Sequence, residues 1–289
     1  MREALPVLAY PMVIVGGLAG YMFAMSSGWP PVLAAYAASA ACVLLIVMHE
    51  VVLPENPAWR PTRPEALADM AFLVLVQMLV PQLLALLVAL VLAGMAEPLR
   101  TGLGAIWPHE WPIWGQVLLL MVLAEFPRYW LHRLSHTFGP LWRLHAVHHS
   151  PRILYSLNVG RFHPLDRGLQ YLVEVAPFIL LGVGPDVLGL YFVFYAVTGF
   201  YQHSNARVRL GPLNWIIAGP ELHRWHHSAN LAEANTNYGN KLIIWDILFG
   251  SRFLPGQRSV GQLGLDDPTY PTDFITQTTA PPMPRRGRS

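Results

Sequence analysis

Long apolar runs are the feature that most constrains how this chain can fold. Only 12% of its 289 residues are charged, whereas a soluble globular domain carries about 25%. So little polar surface cannot coat a folded particle in water, and part of the protein must therefore face lipid. Because the apolar runs approach the length of about 20 residues that a membrane-spanning helix needs, we predict an all-α, polytopic membrane helical bundle.

Five runs are candidates for the membrane. Four are long enough or nearly long enough for one span, and the fifth is long enough for a hairpin that turns at Gly182–Pro185. Pro81 in the third run indicates either a kink in one tilted span or the tip of a re-entrant pair. The runs cover residues 5–25, 31–53, 66–95, 112–126 and 169–200.

Loop charge favours the single third span. Arg and Lys accumulate on the cytoplasmic side of a membrane. With a single third span and the N-terminus inside, the loop arginines from Arg60 onwards face the cytoplasm, with Arg100 as the one exception. The re-entrant alternative moves the segment from Arg128 to Arg167 across the membrane. The first run also has features of a signal peptide. Of the 19 basic residues, 18 are Arg, and Ala and Leu are abundant, a composition that indicates a GC-rich bacterial genome. We therefore interpret the membrane as a bacterial inner membrane with the catalytic face on its cytoplasmic side.

We divide the chain into three regions. Residues 1–126 are predicted to form N-terminal transmembrane helices. Residues 127–250 form a catalytic region that includes the membrane hairpin at about 169–200, with a helical cap on the cytoplasmic side. Residues 251–289 form a C-terminal tail whose last 25 residues or so are Pro-rich, polar and predicted to be disordered.

The histidines are concentrated in the catalytic region. Ten of 12 lie between residues 132 and 227, and most fall into three clusters with helical spacing. His132 and His136 form H-x-x-x-H. The H-x-x-H-H pattern then occurs twice, at residues 145–149 and 223–227. His163 and His203 lie near these clusters in the sequence.

Helical spacing explains how these clusters bind metal. Residues i and i+4, or i and i+3, lie on one helix face about 5–6 Å apart, so two imidazoles can converge on one ion. In H-x-x-H-H the last two histidines flank the first, so one turn can supply ligands to two neighbouring ions. Eight clustered imidazoles predict a pair of ions. Imidazole suits Zn, Cu, Fe and Ni, and a redox-active pair with open positions fits iron best.

Other histidines and the cysteine do not support a metal site. His49 and His109 are each followed by Glu, but neither completes H-E-x-x-H, and we interpret both as structural. Cys42 is the only cysteine, which excludes thiolate zinc sites and iron–sulfur clusters. No basic face indicates nucleic-acid binding.

The histidine clusters resemble those of the fatty acid hydroxylase superfamily, which comprises integral membrane di-iron oxygenases. The resemblance covers about residues 125–250 and includes the three histidine clusters, Asn237-Tyr238-Gly239 and the segment Trp245–Gly250. It implies a cytosolic helical cap that holds two irons, which activate O2 to attack a C–H bond of a fatty acyl chain or sterol by hydroxylation or desaturation.

The resemblance also implies a ligand set. Some members of the superfamily have an H-x-x-x-H pair where this chain has Gly199 and His203. Because Gly199 cannot be a ligand, one iron would lack a histidine here, and His163 is a candidate to replace it. Seven further residues are candidates to orient the imidazoles: Arg143, Asn158, Arg161, Asn205, Arg224, Asn237 and Asp246. The candidate metal ligands are His132, His136, His145, His148, His149, His163, His203, His223, His226 and His227.

The chemistry implies an apolar tunnel from the bilayer and an external source of electrons. Phe126, Tyr129, Trp130 and the segment Tyr191–Phe200 are candidates to line the tunnel, or else pack between helices. The chain lacks a G-x-G-x-x-G motif for flavin or nicotinamide, so a cytochrome, ferredoxin or reductase must supply electrons. The alternative is a histidine-rich membrane metal transporter or metal-binding protein, whose ligands should lie within the spans.

Overall fold

The computed structural model describes residues 4–256 and 258–284. Within this part of the chain all regular structure is helical, and the β-type pairing consists of three isolated bridges. Three helices are long and apolar enough to cross a membrane: α1 (Leu5–Ser26), α2 (Pro31–Val52) and the continuous run Arg63–Gly94. The predicted all-helical membrane fold is therefore confirmed.

The third of these runs contains α3 (Arg63–Ala71), a π-helical stretch (Phe72–Met78) and α4 (Leu79–Gly94). Its start is fixed by a capping box between Thr62 and Glu65. The helix is uninterrupted at Pro81, as the single-span interpretation predicts. The π-helical stretch ends three residues before Pro81, whose missing N–H and ring disturb the regular pattern of backbone hydrogen bonds.

The remaining helices carry the predicted site. Residues 112–126 and 169–200 were also predicted to enter the membrane. They correspond to α6 and to α8–α10, none of which is among the three helices that are long and apolar enough to cross a membrane. Proline begins several of these helices, where its missing N–H costs nothing. The helices are α5 (Glu97–Gly104), α6 (Ile113–Thr137), α7 (Gly139–His149), α8 (Pro164–Glu174), α9 (Ala176–Leu180), α10 (Pro185–His203), α11 (Pro220–His226), α12 (Leu231–Ala234), α13 (Ile244–Leu248) and α14 (Phe274–Thr279).

The main apolar core lies between α1, α2, α6 and α10. Helix α1 approaches both α2 and α10 closely at Gly17, where a Cβ atom would lie 2.6 Å from Cys42 Sγ of α2 and 3.2 Å from Val193 Cγ1 of α10. In contrast, four leucines on α4 are more than half exposed, as expected of a face that contacts lipid: Leu83, Leu86, Leu87 and Leu90. Helices α6 and α10 both end in histidines, so this core positions two histidine-bearing helix ends.

The C-terminal segment is more ordered than predicted. Helix α14 packs on the catalytic region, and the fully buried Gln277 donates hydrogen bonds to Ser150 Oγ and Pro271 O. Asp273 caps this helix by accepting from Thr276 N–H. These contacts explain why disorder over the last 25 residues is a wrong prediction for the described part of the tail. Residues 285–289 lie outside the described residues.

Candidate metal centre

The structure brings nine histidines together in two adjacent groups. In each group, one nitrogen atom from every ring lies within 4.8 Å of those of the others. All nine side chains are at most 8% exposed. The five-histidine group contains His132, His136, His145, His149 and His226, and the four-histidine group contains His148, His203, His223 and His227.

The division of the histidines follows helical phase. Residues i and i+4 differ by about 40° around a helix, whereas residues i+3 and i+4 differ by about 100°. His145 and His149 therefore share the five-histidine group while His148 joins the other. In the second H-x-x-H-H, His223 and His227 share the four-histidine group while His226 crosses to the first. Each H-x-x-H-H turn thus contributes to both groups, as its spacing predicts.

The five-histidine group has the properties of a metal site. The Nε2 atom of each of its five rings is buried and has no hydrogen-bond partner. Buried polar atoms are normally paired, because an unpaired one costs about 1–3 kcal/mol. Five unpaired nitrogen atoms that converge on one point therefore fit a cation, which would accept all five lone pairs.

The four-histidine group has a similar geometry with closer contacts. His223 Nε2 lies 3.0 Å from His203 Nε2 and 3.1 Å from His227 Nε2. Two imidazole nitrogens bound at right angles to one ion at about 2.1 Å are about 3.0 Å apart. The spacing of the three rings therefore matches that of ligands around a shared ion.

Hydrogen bonds at Nδ1 orient most of these rings. A carbonyl or carboxylate oxygen only accepts, so the imidazole must donate from Nδ1, which leaves the Nε2 lone pair free for a metal. The donor–acceptor pairs are His132 with Tyr238 O, His136 with Asn235 Oδ1, His145 with Asp166 Oδ2, His148 with Arg161 O, His203 with Asn158 Oδ1 and His226 with Thr236 O.

Two of the seven predicted orienting residues contact a ligand ring in these hydrogen bonds: Asn158 through its side chain and Arg161 through its backbone carbonyl. The other five bind elsewhere; Arg224, for example, donates to Ser204 O and Ala206 O. Sequence reasoning missed the orienting role of Asp166, which lies 2.9 Å from His145 Nδ1, and that of Asn235, Thr236 and Tyr238. An acidic residue in the first turn of a helix is common, so Asp166 carried no signal of this role.

Three histidines lie outside both groups. His163 caps the start of α8, where its Nδ1 accepts a hydrogen bond from Leu165 N–H at 3.1 Å. The structure therefore does not bring His163 to either group as a tenth ligand, because its ring is used at the helix terminus. His109 bonds to Gly104 O, and His49 packs against the ring of Tyr201, in keeping with the structural roles predicted for both.

The environment keeps the imidazoles neutral. Burial, together with neighbouring imidazoles, lowers the pKa of His149 and His227 well below the ordinary value. Burial likewise lowers the pKa of His226 to about 3. A neutral imidazole is the form that binds a metal, so these rings are ready to coordinate at neutral pH.

A cavity of about 510 Å³ connects the histidines to the apolar helices. One end is lined by His132, His148, His203 and His223. The other end is lined by apolar and small residues of α2 and α10, among them Tyr36, Ser39 and Leu188. This volume lies in the range of about 300–1,000 Å³ that is typical of ligand pockets. The arrangement suits a molecule with a long apolar part.

The aromatic residues divide between the two predicted roles. Tyr191, Tyr195 and Phe200 line the cavity, whereas the aromatics near His132 pack against one another. Tyr129 contacts Trp130 and stacks on Phe249, and Phe126 contacts Trp245. The α6 aromatics are thus packing residues, whereas most aromatics of the segment Tyr191–Phe200 are cavity residues, with Phe194 as the exception.

An all-helical membrane bundle with two histidine-built metal groups at one end of an apolar cavity defines an integral membrane metalloprotein. Comparison with known proteins identifies its family. The fatty acid hydroxylase family model matches residues 117–251, which include all nine grouped histidines. Ornithine lipid hydroxylase OlsE of Rhizobium tropici is 34% identical over 294 residues, covering 100% of this chain and 87% of that protein.

More distant relatives match over about half of the chain. Alkylglycerol monooxygenase of Xenopus tropicalis is 30% identical over 53% of this chain and 33% of its own length. Very-long-chain aldehyde decarbonylase GL1-8 of Oryza sativa subsp. indica is 30% identical over 50% of this chain and 54% of its own length. No solved structure matches the chain significantly. The chain belongs to the fatty acid hydroxylase family, and it is an oxidoreductase of that family.

Proposed function

We propose that this protein is a membrane-bound, non-haem di-iron hydroxylase whose substrate is a bilayer lipid. The observation that carries this proposal is the cavity that joins two groups of buried imidazoles, with their nitrogen atoms free, to the apolar helices. In the overall reaction, O2 takes up two electrons and two protons. One oxygen atom enters a C–H bond to give an alcohol, and the other leaves as water.

Nine histidines are the proposed iron ligands, five for one ion and four for the other. Two irons at this position supply the activation of O2. The protein's own contribution is to hold the rings in place through their Nδ1 hydrogen bonds and to exclude water by burying all nine side chains. The cavity then orients the lipid so that one C–H bond faces the histidines.

Electrons are proposed to come from an external donor, a cytochrome, ferredoxin or reductase. Arg is abundant around the catalytic region, in agreement with a position on the cytoplasmic face of a bacterial inner membrane. These arginines would also suit the docking of an acidic electron carrier. The match to a bacterial lipid hydroxylase over the full chain supports this location.

The metal-transporter alternative has no support from the comparisons, all of which name enzymes. The position of the ligands also disfavours it. A transporter places its ligands near the midplane of the spans, whereas none of the grouped histidines lies within the three helices that are apolar enough to cross a membrane.

The names of the relatives guide the choice of substrate class. They name ornithine lipid and alkylglycerol as substrates, both lipids with a polar headgroup. We propose a polar membrane lipid as the substrate here, with hydroxylation as the reaction and desaturation as the alternative.

Lipid profiling by mass spectrometry tests the proposal. Cells that express the protein should contain a lipid that is heavier by one oxygen atom, whereas desaturation would remove two hydrogen atoms. Cells that express His145→Ala or His226→Ala at matched membrane levels should lack that product. An unchanged lipid profile in cells with iron-loaded protein and a reducing system would contradict the proposal.

A further inference from the structure

Four charged side chains line the cavity beside the histidines: Arg128, Arg167, Glu174 and Lys241. We call them the charged layer. All four are at most 7% exposed, and burying so many charges is costly unless partners compensate them. Arg128 lies one helical turn before His132 on α6. Lys241 Nζ donates to Gln202 Oε1, directly before His203. The layer therefore separates the histidines from the apolar end of the cavity.

Positive charge exceeds negative charge in this layer. Glu174 is its one carboxylate; it accepts from Tyr191 O–H at 2.8 Å and Asn240 Nδ2 at 3.0 Å and lies 3.7 Å from Arg128 Nε. Glu125 lies behind the layer and accepts hydrogen bonds from the backbone N–H groups of Asn240 and Lys241. Asp166 also interacts with Arg128 and Arg167, but its carboxylate accepts from His145 Nδ1, and neither Asp166 nor Glu125 lines the cavity. The cavity wall itself therefore carries three cations and one carboxylate.

Donor groups of the layer remain without partners. Arg128 Nε and Arg167 Nε are buried and have no hydrogen-bond partner, although both side chains line the cavity. Lys241 Nζ bonds to two amide oxygens and lies 4.2 Å from the ring centre of Tyr195. Gly199 leaves room for it, since a Cβ atom there would lie 3.4 Å from Nζ.

From this surplus of buried cations and free donors, we propose that the charged layer binds the anionic headgroup of the lipid substrate, a carboxylate or a phosphate. This inference rests on the proposed function, and it adds an orientation. The headgroup lies beside the histidines while the tail extends towards Ser39 and Leu188. The carbon that is oxidised then lies near the headgroup instead of near the end of the tail.

Lipid binding to the purified, iron-loaded protein, measured by native mass spectrometry without turnover, tests this inference. Three probes share one acyl chain: palmitate carries a carboxylate, 1-palmitoyl-lysophosphatidate carries a phosphate, and 1-monopalmitoylglycerol is uncharged. At least one anionic probe should bind about tenfold more tightly than monopalmitoylglycerol, since one charge-assisted hydrogen bond contributes about that factor. Whichever anionic probe binds more tightly identifies the headgroup as carboxylate or phosphate.

Variants locate the preference. Arg128→Gln and Arg167→Gln should each weaken binding of the anionic probe about tenfold and leave monopalmitoylglycerol binding within about twofold. Arg252→Gln is the control, because Arg252 donates to Asn214 O, contacts no ligand ring and does not line this cavity. It should retain the preference for the anionic probe even if its thermal stability falls.

Two results would overturn the inference: equal binding of all three probes to the wild-type protein, or loss of the preference in Arg252→Gln as well. The wild-type comparison needs no variant, so it decides the matter even if a substitution prevents folding. If none of the three lipids binds, the proposed lipid hydroxylase function fails too. If all three bind equally, only the headgroup inference fails.

Discussion

The two histidine groups are built from the same motifs but differ in ligand number and in their position relative to the cavity. The five-histidine group contributes one ring, His132, to the cavity wall, whereas the four-histidine group contributes His148, His203 and His223. An ion with four protein ligands retains more open positions than one with five. The difference indicates that the four-histidine ion faces the substrate and that the five-histidine ion is held more firmly.

Removing one ligand from each group should have the largest effect and should separate the two ions. His223→Ala leaves three ligands in its group, so we expect it to lose about one of two irons and to abolish product formation. His149→Ala leaves four ligands, the native number of the other group, so it should retain both irons although its product is lost, as in His145→Ala and His226→Ala. Metal analysis and lipid mass spectrometry measure the two effects.

His109→Ala is the control for these variants, since this histidine lies outside both groups and should leave iron content and activity unchanged. Equal loss of iron from His223→Ala and His149→Ala would mean that the two groups do not differ in how firmly they hold a metal.

A smaller effect is expected from the orienting carboxylate of the five-histidine group. Asp166→Asn replaces the charged acceptor of the His145 Nδ1 proton, and loss of such a partner typically weakens metal binding 10- to 100-fold. Titration with a competing chelator should show that one iron per chain becomes easier to remove while the other is unaffected.

Asp273→Asn is the control, because Asp273 is an exposed residue that caps α14 and contacts no ligand ring, so it should not alter either iron. If Asp166→Asn weakened the binding of both irons to the same extent, the two groups would behave as one unit. This result would contradict the claim that the two groups hold their ions separately.

The smallest effect concerns the apolar end of the cavity. Ser39→Leu adds bulk to the cavity wall and should displace about two methylene groups of the lipid tail. Each buried methylene group contributes about 0.8 kcal/mol to the binding free energy of the lipid. Turnover at low substrate concentration should therefore fall about tenfold. Ser39→Ala leaves the cavity open and should retain activity. Both variants should keep the wild-type iron content; unchanged activity in Ser39→Leu would mean that the tail does not reach this end.

The sequence predicted the helical membrane fold and the convergence of the clustered histidines because both depend on local patterns. Apolar run length identifies spans, and the spacing of residues 145–149 already divides their rings between two ions. His203 and His163 both lie outside the three clusters, and spacing alone could not separate them. Only the packing of α10 beside α11 brings His203 to the site, while His163 is held at the start of α8.

Long-range partners could not be read from the sequence. Asp166 contacts His145 across 21 positions, and Tyr238 O contacts His132 across 106. Lys241 is the one Lys among the 19 basic residues, and nothing in its sequence context predicts that it is buried and lines the cavity. The disorder of the tail was predicted from its Pro content and polarity, which do not show that Gln277 is buried and donates to Ser150, directly after α7.

Metal content of the purified wild-type protein tests the central claim most directly. Protein produced in iron-supplemented cells and analysed by inductively coupled plasma mass spectrometry should contain about two irons per chain, because two separate histidine groups are available. A protein that contains only zinc, or that binds no metal while it is folded and inserted in the membrane, would contradict the assignment of these groups as a di-iron centre.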